Sequence, residues 1–144
     1  MNMPDNLPPA PPLPAILEAA LYAQDLIAAE TFYGEVLQLE KVVAVPGRHL
    51  FYRVGTGMLL IFNPDATEIP TGNADLPVPS HGARGPGHFC FALPREAMPA
   101  WITRLETADI AIEADFEWPN GARSVYFRDP FGNSLEMAEP RLWL

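Results

Sequence analysis

The 144 residues suit one domain, or two small modules sharing a core, and 49% apolar against 19% charged residues exclude disorder over the whole length. Nine Lys and Arg against eighteen Asp and Glu leave a net charge of −9, which excludes nucleic-acid phosphates and anionic membranes as natural partners. A single cysteine, Cys90, excludes an internal disulfide, and neither a ~20-residue apolar span nor a basic or apolar leader at residues 1–5 is present, so a cytoplasmic location is expected.

Six of the seventeen prolines fall within residues 1–14, so residues 1–15 are expected to form an extended arm, disordered or laid over a neighbour. The remainder, 16–144, reads as one domain. Residues 16–22 are β-prone, and Asp25 can cap a helix running to about Leu39, with Leu26, Ala29, Tyr33, Val36 and Leu37 on its buried face. Strands are expected at 41–45, 49–54 and 58–62, the last two joined by the turn Gly55-Thr56-Gly57. Residues 63–86, with five Pro and three Gly, read as a long loop without a regular element. The order then recurs: a strand at 88–93, a helix marked by Met98, Trp101, Leu105 and Ala108, and strands at 110–116, 124–128 and 134–138. Trp101 and Trp118 read as packing residues.

The chain is therefore expected to be an α+β protein of two tandem βαβββ modules, at about 16–62 and 87–139. They would form a curved mixed sheet around a ligand groove, with the helices outside. Aligning the modules puts Glu18 at the place of His88 and Leu60 at that of Glu136, which makes these four candidates for one shared centre. Strand alternation supports this. His88, Cys90 and Ala92 share one face of their strand, Glu18, Ala20 and Tyr22 share one face of theirs, and Glu136 stands in an apolar run between Leu135 and Met137. A carboxylate there needs a positive partner, either a divalent cation or Arg128 or Arg53. His49 lies on the face of Phe51 and Arg53 and pairs with Ser124 in the repeat. It is a fourth ligand, a catalytic base, or an exposed strand histidine. His81 can reach from the loop over the pocket mouth or stay solvated, and Cys90 is expected to be a buried neutral thiol.

The stretch Ala20-Leu21-Tyr22-Ala23-Gln24-Asp25-Leu26 with Phe32-Tyr33, the pair Gly87-His88, and Tyr126-Phe127-Arg128-Asp129-Pro130-Phe131-Gly132-Asn133-Ser134-Leu135-Glu136 resemble the vicinal oxygen chelate superfamily. That group includes glyoxalase I, extradiol dioxygenases and bleomycin resistance proteins. The resemblance implies metal ligands at Glu18, His88 and Glu136, with Leu60 at a fourth ligand position that it cannot serve and Glu18 where three-ligand members carry His. Two carboxylates and one imidazole suit Fe, Mn, Zn or Ni alike. Tyr126 resembles the tyrosine that binds a substrate oxygen in extradiol dioxygenases.

The function implied is a divalent-metal-dependent enzyme, of lyase, isomerase or ring-cleaving dioxygenase type, acting on a small substrate with vicinal oxygens. Tyr126 or His49 would orient or move a proton. The alternative is a metal-independent, bleomycin-resistance-like protein that sequesters a small ligand, with the acidic groove suiting a cation. Sheet edges, the proline-rich arm and the apolar end Leu142-Trp143-Leu144 together imply a homodimer.

Overall fold

The computed structural model describes residues 2–144; the Met1 end of the arm lies outside them. Residues 2–17 are exposed and carry no regular element. The described residues then form eight strands: β1 (Glu18–Tyr22), β2 (Glu40–Val45), β3 (His49–Val54), β4 (Gly57–Phe62), β5 (His88–Ala92), β6 (Ala114–Glu117), β7 (Arg123–Arg128) and β8 (Ser134–Ala138). They make two four-stranded sheets in matching order, β1-β4-β3-β2 and β5-β8-β7-β6. In each, the first strand runs parallel to the last and the remaining pairs are antiparallel. This is the expected α+β architecture of tandem βαβββ modules.

The helices depart from expectation in instructive ways. Helix α1 (Leu26–Ala29) is capped by the Asp25 carboxylate, which accepts from the backbone N–H groups of Ile27 and Ala28, but it widens into π-type turns over Glu30–Val36. The wider turn, closed by Leu37 N–H donating to the Phe32 carbonyl, carries the consecutive Phe32 and Tyr33 together into the core, their rings edge-on at 4.9 Å. The loop expected to hold no element begins with a one-turn helix, α2 (Pro64–Thr67). There Asn63 caps the Asp65 N–H, and Pro64 sits where no donor is needed. Helix α3 (Met98–Thr107) is followed by Ala108 and then Asp109, whose φ of 59° turns the chain out of the helix. Residues 110–113 are spent leaving it, so β6 starts at Ala114 rather than 110.

One core runs through both modules. Leu21, Phe32, Tyr33, Leu59 and Ile61 come from the first, and Leu105, Phe127, Leu135 and Met137 from the second. The two are tied by a buried polar joint. Asp129 accepts from the Tyr33 hydroxyl at 2.6 Å and from Asn133 Nδ2 at 2.7 Å, while Asn133 Oδ1 accepts the Gly87 N–H at 2.8 Å. Gly87 permits this approach, since a Cβ there would stand 3.1 Å from Leu21. The sheet faces turned away from the core are open, and β5 shows the alternation plainly, with His88, Cys90 and Ala92 exposed and Phe89 and Phe91 half-buried. Trp143, 89% exposed, and Leu144 do not dock on their own domain; Arg141 anchors the turn before them by donating to the Gly121 carbonyl. No helix among the described residues is long and apolar enough to cross a membrane.

Candidate functional site

The strand register confirms which residues are equivalent. Glu18 pairs with Met58 as His88 pairs with Ser134, Phe51 with Leu60 as Tyr126 with Glu136, and His49 with Phe62 as Ser124 with Ala138. Ala20 is likewise the counterpart of Cys90.

On the second sheet the polar residues meet. Glu136 is 5% exposed, yet its carboxylate pairs with neither Arg128 nor Arg53. Arg128 is spent on Glu113, with contacts of 2.6 and 3.0 Å. The Glu136 partners are Ser124, whose hydroxyl donates to Oε2 at 2.5 Å, and His88, whose Nε2 lies 3.4 Å from Oε1. Ser124 in turn accepts the Trp118 indole N–H at 2.8 Å. His88 Nδ1 lies 2.9 Å from the Ser134 carbonyl. A carbonyl only accepts, so Nδ1 carries a proton, which fixes the ring with Nε2 toward Glu136. Tyr126 completes the face, stacked near-parallel to His88 at 6.2 Å and to Phe116 at 5.8 Å. Burial and the adjacent Glu136 push its phenol up to about 12, so it is a hydroxyl donor at neutral pH. Cys90 is exposed, contrary to expectation, because this face has no helix over it; burial of its sulfur and the neighbouring Glu136 still push the thiol up to about 12.

The first sheet presents a different surface. Glu18, Ala20, Tyr22, Phe51, Leu60, Phe62, Val78 and His81 line a cavity of about 460 Å³. His81 does return from the loop. Its Nδ1 lies 2.7 Å from the Tyr22 hydroxyl, and its ring stands edge-on to Phe62 at 4.6 Å. His49 is half-buried, stacked on Phe51 at 4.1 Å, with a buried Nδ1 that has no hydrogen-bond partner among the described residues. Burial, with Arg48 nearby, lowers its pKa and keeps the ring neutral.

A family model of the Glyoxalase/Bleomycin resistance protein/Dioxygenase superfamily matches residues 15–137. The chain belongs to this superfamily. Among solved structures, a lactoylglutathione lyase from Agrobacterium tumefaciens is 47% identical with a TM-score of 0.84, covering 92% of this chain and 98% of its own. A glyoxalase/dioxygenase from Nostoc punctiforme is 25% identical with a TM-score of 0.66, covering 92% and 96%. A glyoxalase/bleomycin resistance protein/dioxygenase from Nocardioides, at 23% identity and a TM-score of 0.66 over 90% and 85%, shares the fold. No curated protein matches the chain.

The superfamily implies a divalent metal, and the second sheet fits one as a half-site. Two metal-type donor atoms, His88 Nε2 and Glu136 Oε1, face each other. Their 3.4 Å separation is what two ligands ~2.1 Å from a zinc-sized ion adopt, about 3.0 Å at a right angle and about 3.4 Å at a tetrahedral one. The Nδ1–H to carbonyl bond is the support that ligating histidines use. A third donor is not brought to this place. Among the described residues no three His, Cys, Asp or Glu side chains converge on one metal position, and Glu18 lies on the face of the other sheet. Sequence reasoning found His88 and Glu136 from the repeat. It missed the Ser124–Trp118 support, whose only legible sign was the pairing of Ser124 with His49.

Proposed function

We propose that this chain is a divalent-metal-dependent lyase of the glyoxalase type, acting on a small thioester or carbonyl compound with two adjacent oxygens. The observation that carries this reading is the His88–Glu136 pair, two metal-type donors 3.4 Å apart on an open sheet face. The 47% identity to a lactoylglutathione lyase supports the reaction class and makes S-lactoylglutathione, with its adjacent hydroxyl and thioester oxygens, the first substrate to test.

His88 and Glu136 would hold the cation, and a bound divalent cation supplies Lewis acidity toward the paired oxygens. Tyr126, protonated at neutral pH and beside Glu136, donates a hydrogen bond to a substrate oxygen and orients it. A lactoyl thioester and its isomeric hemithioacetal differ by a hydrogen moved between neighbouring carbons, so a proton acceptor is also required. His49, held neutral on the sheet that also carries Glu18, is suited to that role and would reach the centre from a second copy.

Glu18 would join the centre from a second copy. Support for a homodimer comes from the two open sheet faces and from exposed Leu13, Ile16, Leu17, Trp143 and Leu144, apolar surface that a monomer leaves in water. In the second reading the chain binds a small organic cation without metal. The observation favouring it is the cavity walled by Tyr22, Phe51 and Phe62 around a single carboxylate, Glu18.

Elemental analysis and sedimentation of reconstituted protein decide between them. The proposed enzyme is a dimer with close to one divalent ion per chain, strongly depleted in His88→Ala/Glu136→Ala and weakened in Glu18→Ala, and it interconverts S-lactoylglutathione with its hemithioacetal isomer. Equal metal content in wild type and the His88→Ala/Glu136→Ala variant refutes the site, and a wild type that takes up no metal selects the binding protein.

A further inference from the structure

The support beneath Glu136 has a direction built into it. The indole N–H of Trp118 can only donate, and it occupies the Ser124 oxygen at 2.8 Å. Ser124 has one proton, and with its oxygen engaged from that side the proton is delivered to Glu136 Oε2 at 2.5 Å. Ser124 is fully buried, so no bulk water competes for either bond. Oε2 is thereby tied down, and Oε1 faces His88 Nε2. The first module provides an internal contrast: where the carboxylate is replaced by Leu60, the place of Ser124 is taken by His49, and no such chain of donors exists.

We propose that Trp118 and Ser124 are positioning residues that hold Glu136 as a one-oxygen metal donor. The proposal rests on the metal reading above for its consequence, and on hydrogen bonding alone for its geometry. Freed from Ser124, the carboxylate could swing or offer both oxygens, and the matched distance to His88 would be lost. Neither residue touches metal or substrate; both act through Glu136.

The test is a calorimetric titration of the full-length protein with Zn²⁺ alone. Ser124→Ala should bind about 10- to 100-fold more weakly, the cost usual for losing an outer support of a ligand. Trp118→Phe should bind about fivefold more weakly, the loss of one neutral hydrogen bond. The double variant should bind no more weakly than Ser124→Ala, because Trp118 acts only through Ser124. Wild-type affinity in Ser124→Ala overturns the proposal, and so do additive effects in the double variant. Should Ser124→Ala not fold, unchanged affinity in Trp118→Phe overturns it. The metal-free protein supplies a second readout, the Trp118 indole N–H resonance. It should shift in Ser124→Ala and Glu136→Gln and stay put in His88→Ala. A resonance indifferent to the first two substitutions overturns the relay. A wild type that binds no Zn²⁺ refutes the metal reading, and this resonance still decides the relay.

Discussion

The two modules share a backbone register and almost nothing in the chemistry of their open faces. Where the second has His88, Cys90, Ser124, Tyr126 and Glu136, the first has Glu18, Ala20, His49, Phe51 and Leu60 at matching strand positions. The second face is a hydrogen-bonded donor set; the first is an aromatic wall with one exposed carboxylate. A βαβββ unit presents the same side-chain positions each time it is used, because strand alternation and pairing place them. What happens there is decided by which residues stand in those positions. The polar donor set and the aromatic wall thus stand on two different sheets.

The sharpest way to break the contrast is to give the first face the second's carboxylate. Leu60→Glu places a charge at a site 6% exposed that has His49 and Glu18 where the second face has Ser124 and His88, and should cost about 3 kcal/mol of stability, read from denaturant unfolding. Adding His49→Ser, which restores the missing hydroxyl donor, should recover about 1 kcal/mol. An unchanged Leu60→Glu variant would show the first face to be as polar as the second.

The hairpin turns differ as strongly. In the first module Gly55 and Thr56 are exposed, whereas the second turn buries Asp129 and Asn133 at its two ends and through them joins the modules at Tyr33, Gly87 and the Tyr22 carbonyl. Asp129→Ala strands the Tyr33 hydroxyl, the Asn133 amide and two backbone donors, and should cost about 3 kcal/mol. Thr56→Ala should stay within about 0.5 kcal/mol. Equal losses would place the joint elsewhere.

The smallest effect is one of pH. His49, where the second module has Ser124, binds its proton more weakly folded than unfolded. As pH falls below about 6.5 the unfolded chain takes up that proton first, so stability falls until the pH passes the lowered folded-state value. His49→Phe should flatten the change in urea midpoint between about pH 7.5 and 5.5. The same slope in both proteins would mean that His49 is as solvated as a free histidine.

Much of this was legible in the residues themselves. Period-2 alternation around His88 and Glu136, the Gly55-Thr56 and Asp129–Asn133 turns, and the recurrence of element order are local signals, and they carried the duplicated fold, the equivalence of Glu18 with His88 and the His88–Glu136 pair. The π-type widening at Glu30–Val36 and the late start of β6 were not legible. Helical spacing does not distinguish 3.6 residues per turn from a wider turn that the core selects in order to bury Phe32 and Tyr33 together.

Sequence by itself determined the βαβββ repeat and which side chains share a strand face, since both follow from backbone geometry over a few residues. Only the tertiary structure decided which of those side chains meet. Glu18 and His88 are equivalent in the repeat yet lie on different sheets, because the shared core binds the modules by one face each and leaves the other faces open. The Trp118–Ser124–Glu136 chain likewise depends on β6, β7 and β8 lying side by side. Distances between strands arise from packing, which no spacing along the chain records.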